Sequence, residues 1–177
     1  MSAHSRDALK QLQSLPLEDK VILSRLRIRA WMERFDDEVY VAFSGGKDST
    51  VLLDIVRGVD PTVPAVFSDT GLEFPEIKAF VRTFDNVEIV RPRMTYKQVV
   101  EKYGYAVVSK RTAGAIGKVR RNGPDSKSGR YYLTGHHAGG FSKMAIIPKR
   151  WRPLLEAPFK VSDRCCDVLK KQPLNGY

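Results

Sequence analysis

The stretch VAFSGGKDST, residues 41–50, constrains the fold more than any other part of this chain. An apolar run ends there in two glycines, a lysine, an aspartate and two serines. The apolar run indicates a buried parallel strand, and the glycines would let backbone N–H groups approach an anion closely. A following helix would present its N-terminus to that anion, and the lysine would add positive charge. The stretch therefore predicts a strand, a phosphate-binding turn and a helix.

Six consecutive residues form the candidate phosphate loop, namely Ser44, Gly45, Gly46, Lys47, Asp48 and Ser49. The loop does not have the Walker form, because that form requires a glycine where Val41 stands and the order Gly-Lys-Ser or Gly-Lys-Thr. The dinucleotide-binding fingerprint does not fit either. A tight turn without a ligand is the simpler alternative, but a bare turn does not need the lysine, the aspartate and both serines together.

Apolar residues at mostly helical spacing predict two N-terminal helices over residues 7–35, with an interruption at Pro16. We expect Ser14 to cap the second helix, because proline suits a first helical turn. Glu18 and Asp19 would then lie at the positive end of the helix dipole.

Strands and helices alternate between residues 37 and 103. The pattern predicts strands at 39–43, within PAVFSDTG and at 87–90, and helices at 50–57, 74–84 and 96–103. Gly58 is placed to end the first of these helices, and Pro75 falls in the first turn of the second. The alternation predicts an α/β fold of three layers, a mostly parallel sheet with helices on both faces, preceded by the N-terminal helices. Ligands bind at the carboxyl ends of such strands, where SGGKDS and SDTG both fall.

The pattern is weaker after Gly104. It predicts a loop at RRNGPDSKSGRYY, a short strand at 131–134, a turn at HHAGGFSK, and a terminal helix over 162–171 that Ser162 caps. We expect one domain over residues 1–177, made of N-terminal helices at 1–36, an α/β core at 37–135 and a C-terminal part at 136–177 with basic residues and the two cysteines.

The net charge of +10 is concentrated in one part of the chain. The basic segment 109–152 contains eleven lysines and arginines and one acidic residue, Asp125. Such an excess attracts polyanions, so nucleotide, RNA, DNA and acidic protein are all candidate partners. A well-solvated basic surface without a specific partner is the alternative, because a charge count carries no specificity.

The lack of targeting signals and the small number of cysteines limit the classes of protein to which this chain can belong. No window approaches the roughly 18 apolar residues of a membrane span, and the N-terminus lacks the apolar core of a signal peptide, so we expect a cytoplasmic protein without a membrane partner. Cys165 and Cys166 are too few for a disulfide framework. Together with His136 and His137 they would satisfy a tetrahedral zinc site, although a half-buried helix with one packed and one exposed thiol is the simpler interpretation.

Four stretches in order resemble one family: VYVAFSGGKDSTVLLDIVR, FSDTGLEFPEI, VVSKR and KRWRPLLEAPFKVSDRCCDVLKKQPL. They are similar to the phosphoadenosine phosphosulfate reductase family of the adenine nucleotide alpha-hydrolase (PP-loop) superfamily, and the resemblance covers nearly the whole chain. Members of this superfamily cleave ATP between the alpha and beta phosphates or bind related sulfonucleotides. The resemblance implies the same fold and an adenine nucleotide, either ATP or phosphoadenosine phosphosulfate, as the ligand.

The resemblance also implies residue roles. Residues 44–49 would hold the pyrophosphate or phosphosulfate end of the nucleotide, Asp69 and Thr70 would lie beside the adenosine, and Lys110 and Arg111 would add anionic contacts. Reductases of the family rely on a C-terminal cysteine motif, or on an iron-sulfur cluster that a Cys-Cys pair and a later Cys-x-x-Cys hold. Here Cys165 and Cys166 provide two of the four thiolates, and the family's C-terminal part is not found. A cluster would need cysteines from a homodimer, a companion subunit or further residues.

Three functions follow from these features. The first is sulfonucleotide reduction or sulfur transfer in the manner of the reductase family. The second is an ATP pyrophosphatase-type adenylating enzyme for nucleic-acid thiolation, in which Asp48 would help place Mg²⁺ and Lys47 would stabilise charge on the leaving pyrophosphate. The third is a nucleotide-binding or interaction module without catalysis. The intact glycine loop and the basic segment favour the second function, as phosphate backbones attract many cations.

Overall fold

The computed structural model describes residues 5–177. The α-helices are α1 (Arg6–Ser14), α2 (Leu17–Arg34), α3 (Lys47–Arg57), α4 (Pro75–Val81), α5 (Tyr96–Tyr103), α6 (Lys110–Asn122), α7 (Lys127–Thr134) and α8 (Gln172–Asn175). The strands are β1 (Val41–Ala42), β2 (Ala65–Ser68), β3 (Val87–Val90), β4 (His136–His137) and β5 (Gly140–Phe141). Short 3₁₀ helices span Lys143–Ala145 and Lys149–Leu155.

The described chain forms two compact units. The first contains residues 5–67 and 73–90, and the second contains residues 68–72 and 91–177. Compact units are not by themselves independent domains, so one domain over the whole chain stays a prediction. The start of that domain at residue 1 lies outside the described residues.

The first unit contains a sheet with the strand order β1-β2-β3. Strand β1 pairs with β2 in parallel, with Val41 opposite Ala65. Helices surround this sheet and precede it along the chain, which confirms the predicted α/β class and its mostly parallel sheet. The buried core residues of the unit are Met32, Val41, Phe43, Leu53, Val56, Val63, Ala65, Phe67 and Val81. This core fixes the carboxyl end of β1, from which the candidate phosphate loop follows.

The sequence predicted both N-terminal helices but placed the second cap wrongly. Ser14 is the last residue of α1, and its hydroxyl donates to the carbonyl of Gln11 at 2.9 Å. Leu15 and Pro16 are extended, and Pro16 is the N-cap of α2. The residue before a proline is biased away from helical conformation, so the break falls after Ser14 and leaves that side chain in the preceding helix.

The alternating middle of the chain agrees with the sequence pattern except in its bounds. Strand β1 is shorter than predicted, although the Phe43 N–H still donates to the Val66 carbonyl at 2.9 Å. Helix α3 begins at Lys47 rather than at residue 50, so the lysine of the candidate loop lies in the first helical turn. Gly58 ends α3 and Pro75 opens α4, as predicted. These differences shift more of the candidate loop onto the helix.

In the second unit, α6 and α7 occupy most of residues 110–134, where the sequence predicted a loop at 120–132 and a strand at 131–134. Residues 131–134 belong to α7, which Ser126 caps and which ends at Gly135 in the left-handed conformation. Helix α6 was not predicted, and it buries Ala113, Ile116 and Val119 at helical spacing. Aromatic and threonine residues favour a strand locally, but packing against α6 makes 131–134 helical.

The terminal helix begins later than predicted. The chain is helical from Cys165, passes through a π-helical turn over Asp167–Lys171 and ends in α8. The hydroxyl of Ser162 accepts from the Arg164 N–H at 3.1 Å, so Ser162 forms a local turn rather than a helix cap. Within residues 5–177, no helix has both the length and the apolar composition needed to cross a bilayer.

Candidate functional site

Serine hydroxyls hold the candidate phosphate loop in shape. The Ser49 hydroxyl lies 3.0 Å from that of Ser44 and donates to the Gly46 carbonyl at 3.0 Å. It also accepts from the Ser44 N–H at 3.2 Å. Thr50 donates its hydroxyl to the same Gly46 carbonyl at 2.9 Å. The two serines therefore close the turn on itself, which preorganises its backbone.

The two glycines of the loop have different reasons to be glycine. Gly45 is buried and has a φ of +70°, and a Cβ there would lie 3.0 Å from methyl carbons of both Ile77 and Val81. Gly46 has an ordinary φ of −83° and is the N-cap of α3 without a side-chain cap. The N–H groups of the first turn of α3 thus receive no side-chain acceptor from their cap. A backbone of this kind is suited to an anion.

Lys47 and Asp48 are exposed in the first turn of α3. Their side chains make no hydrogen bond or ion pair with the residues that the structure describes. A lysine at the positive end of a helix is unfavourable by itself, because the helix dipole repels it. The position is favourable only when an anion shares the same site. The six predicted loop residues are thus brought together on one turn of the first unit.

Asp69 and Thr70 follow β2 and belong to the second unit. The Asp69 carboxylate accepts from the Gly71 N–H at 3.1 Å and lies 3.7 Å from Nε of Arg91. Thr70 is buried, and its hydroxyl accepts from the Leu72 N–H at 3.3 Å. Both side chains therefore have a structural use in this turn. Sequence reasoning missed Arg91, although a basic residue directly after β3 was a readable signal.

Lys110 and Arg111 are the first two residues of α6, and both are exposed. Ser109 caps the helix by accepting from the Thr112 N–H at 3.2 Å. The preceding Val108 has a φ of +68°, which is strained for a β-branched residue. The predicted pair thus lies together at a strained turn into a helix N-terminus.

Cys165 and Cys166 are both partly buried free cysteines. Burial raises the pKa of the Cys165 thiol, and the charge of neighbouring Cys166 raises it further, whereas the nearby Lys110 ammonium lowers it. Cys165 packs against the buried residues Val99, Val168 and Leu169. The thiol pair is therefore partly packed into the unit.

Metal ligands do not form a larger cluster in the described part of the chain. Within it, no group of three or more histidine, cysteine, aspartate or glutamate residues is arranged to hold a metal ion. The rings of His136 and Phe141 are tilted against each other with centroids 5.1 Å apart, and the His137 and Tyr131 ring centroids are 5.2 Å apart. The described histidines and cysteines thus form no zinc site together, and two thiolates do not fit a four-iron cluster by themselves.

Comparison with known proteins shows what the part of the chain that contains this loop is similar to. Residues 38–122 match the family model for the phosphoadenosine phosphosulfate reductase domain. An adenosine 5'-phosphosulfate reductase from Geobacillus kaustophilus is 35% identical over 86 residues, which are 45% of this chain and 37% of the relative. One from Mesorhizobium japonicum is 37% identical over 70 residues, which are 36% of this chain and 28% of the relative.

The match of residues 38–122 to this family model confirms the predicted resemblance for that part of the chain. The matched residues include the phosphate loop, Asp69 and Lys110, whereas Cys165 and Cys166 lie beyond them. The aligned part of the chain spans about a third of the length of these curated relatives.

Proposed function

We propose that this chain binds the phosphate or phosphosulfate end of an adenine nucleotide through residues 44–49, and acts in sulfonucleotide reduction or sulfur transfer. One observation carries the proposal: the buried glycine at a φ of +70° turns the chain directly into the N-terminus of α3, where Lys47 is exposed. The match of residues 38–122 to the reductase domain family model supports sulfonucleotides as the ligand class.

Each part of the loop has a role in this proposal. The first-turn N–H groups of α3 donate to nonbridging phosphate oxygens, and Lys47 neutralises their charge. Gly46 gives the anion room, because the nearest atom to a Cβ there would be Ser44 Oγ at 3.3 Å. Asp48, an exposed carboxylate in the same turn, fits a Mg²⁺ ligand for a nucleotide that carries the metal.

Further expected contacts stay proposals from the resemblance. They are adenosine contacts by Asp69 and Thr70 and anionic contacts by Lys110 and Arg111. Cys165 and Cys166 would provide two ligands of an iron-sulfur cluster, with the remaining thiolates from a homodimer or a companion subunit. No step of the proposed binding depends on that cluster. The cytoplasmic location likewise stays a prediction.

Calorimetric titration tests the proposal with adenosine phosphosulfate, phosphoadenosine phosphosulfate and ATP with Mg²⁺ as separate ligands. We expect Lys47→Ala to weaken binding about 10- to 100-fold, because it removes a charge-assisted phosphate contact. Lys10→Ala is the matched control, since it removes one exposed charge from α1 without touching the loop. The control should bind as the unchanged protein does.

The ligand preference separates the candidate activities. Lysine-dependent binding of a sulfonucleotide supports the reductase-like function. Lysine-dependent binding of ATP with release of pyrophosphate would instead favour the adenylating enzyme, which the basic segment also favours. Absence of binding to all three nucleotides, or equal binding by Lys47→Ala, would refute the proposed role of the loop.

A further inference from the structure

Five aromatic side chains lie at the end of α7 and on the β4–β5 hairpin in two contacting sets, and we call them together the aromatic hairpin face: Tyr131, Tyr132 and His137 in one set, and His136 and Phe141 in the other. The rings of Tyr131 and Tyr132 have centroids 5.0 Å apart. Tyr131 also contacts the His137 ring edge to face at 5.2 Å, and His136 lies 5.1 Å from Phe141. All of these residues belong to the second unit.

A specific backbone turn presents the Phe141 ring. Gly135 ends α7 with a φ of +85°, and a Cβ there would lie 2.7 Å from a ring carbon of Phe141. The Ser142 N–H donates to the Gly135 carbonyl at 2.9 Å, which holds the hairpin against the helix end. One part of the ring is thereby fixed, yet 59% of Phe141 is exposed. Both histidines are exposed as well.

Basic residues contact this face or lie next to it in the sequence. Lys118 of α6 donates to the Tyr132 hydroxyl at 3.1 Å, and its ammonium lies 5.4 Å from the centre of that ring. Arg130 lies on α7 one residue before the tyrosines, and Lys143 follows the hairpin; both are exposed. Their side chains make no hydrogen bond or ion pair with described residues.

Two arginines of the basic segment stabilise the fold through hydrogen bonds to backbone carbonyls. Arg120 donates to the carbonyls of Phe159 and Ala157, and Arg152 donates to those of Leu133 and Ile147. The packing of the unit therefore explains these two arginines. It does not explain Arg130, Lys143 or the exposure of Phe141, and the segment has one acidic residue to oppose its eleven cations.

We propose that the aromatic hairpin face binds single-stranded nucleic acid. Bases stack on the exposed face of Phe141 and on the neighbouring His136 ring, while Arg130 and Lys143 pair with phosphates. Exposed rings with exposed cations close by along the chain match the two chemical parts of a single strand, its π-faces and its backbone charge. A duplex offers phosphates but keeps its bases stacked, so it would use only the cations.

Fluorescence anisotropy with labelled 20-nucleotide strands tests this inference on the full chain. The probes are a single-stranded RNA, a DNA strand of the same sequence and the corresponding DNA duplex, each titrated at several salt concentrations. Phe141→Leu keeps an apolar side chain against Gly135 but removes the ring, and Phe141→Trp restores a stacking surface. Melting temperatures of both variants check that the hairpin still folds.

We expect at least one of the single strands to bind more tightly than the duplex. Phe141→Leu should weaken its binding about tenfold with an unchanged salt slope, and Phe141→Trp should retain it. Arg130→Gln and Lys143→Gln should each reduce the slope of log affinity against log salt by about 0.7. A preference for the RNA strand or for the DNA strand identifies the natural ligand.

Several results would overturn the inference. They are no binding at low salt, equal or tighter binding of the duplex, or equal weakening by the leucine and tryptophan variants. The inference does not depend on the proposed nucleotide site, because Phe141→Leu should leave the calorimetric titration with nucleotides unchanged. Loss of nucleotide binding with intact strand binding would refute only the proposed function.

Discussion

Substitution of Gly45 by alanine tests whether this glycine is required by both conformation and space. A φ of +70° costs a residue with a Cβ about 1–2 kcal/mol. The new methyl group would also lie 3.0 Å from methyl carbons of Ile77 and Val81, and overpacking of this kind costs about 1–3 kcal/mol.

An opposing effect acts on the unfolded chain. Alanine has less conformational freedom than glycine there, which returns about 0.4–1 kcal/mol. We therefore expect Gly45→Ala to lower the free energy of unfolding by about 3 kcal/mol, the middle of a range of about 1–5 kcal/mol. Urea titration followed by circular dichroism measures this loss, with the slope m expected to stay constant.

Substitutions at two other glycines separate the cost of the backbone conformation from the cost of crowding by neighbouring side chains. Gly71 has a φ of +82° with nothing within 4 Å of an added Cβ, so Gly71→Ala carries conformational strain alone, about 1 kcal/mol. Gly46 has an ordinary φ of −83°, so Gly46→Ala should cost only about 0.5–1 kcal/mol, because alanine is a poorer N-cap than glycine. If Gly45→Ala destabilised no more than Gly71→Ala, the crowding by Ile77 and Val81 would be refuted.

Two further predictions concern other parts of the molecule. Arg57 donates to the carbonyls of Asp85 and Asn86 at 2.9 Å each, so Arg57→Gln should lower the free energy of unfolding in urea by about 2 kcal/mol. Arg29 is exposed, and Arg29→Gln should leave that free energy unchanged. Equal effects of the two substitutions would contradict the role of these hydrogen bonds. Burial raises the pKa of Cys165, and neighbouring Cys166 raises it further. Cys166→Ser should therefore shift the pH midpoint of Cys165 alkylation by iodoacetamide downward. An unchanged or higher midpoint would refute that coupling.

Local patterns in the sequence determined the alternation of helices and strands through the first 103 residues. Helical and strand periodicities are properties of neighbouring residues, so they can be read without knowing the fold. The candidate loop was equally readable, because glycines and a lysine after an apolar run have few structural uses. The hydroxyl bonds of Ser44 and Ser49 and the packing of Gly45 needed the structure.

Tertiary packing alone decided the nature of residues 110–134. Helix α6 contains Gly114 and Gly117, which lower helix propensity, and yet a Cβ at Gly117 would lie 2.9 Å from the Val161 carbonyl. The glycines are thus required by a close approach of distant chain, which no local pattern reveals. The buried residues Ala113, Ile116 and Val119 were the local signal that could have indicated this helix.

The aromatic hairpin face shows the same division. The sequence showed a basic segment with tyrosines, histidines and a phenylalanine, and it predicted a loop, a short strand and a turn there. The left-handed Gly135 and the helical residues 131–134 bring those rings together, and these features follow from packing of α7 on α6 rather than from local preference. Charge and residue types are fixed by sequence, whereas their common surface exists only in the folded chain.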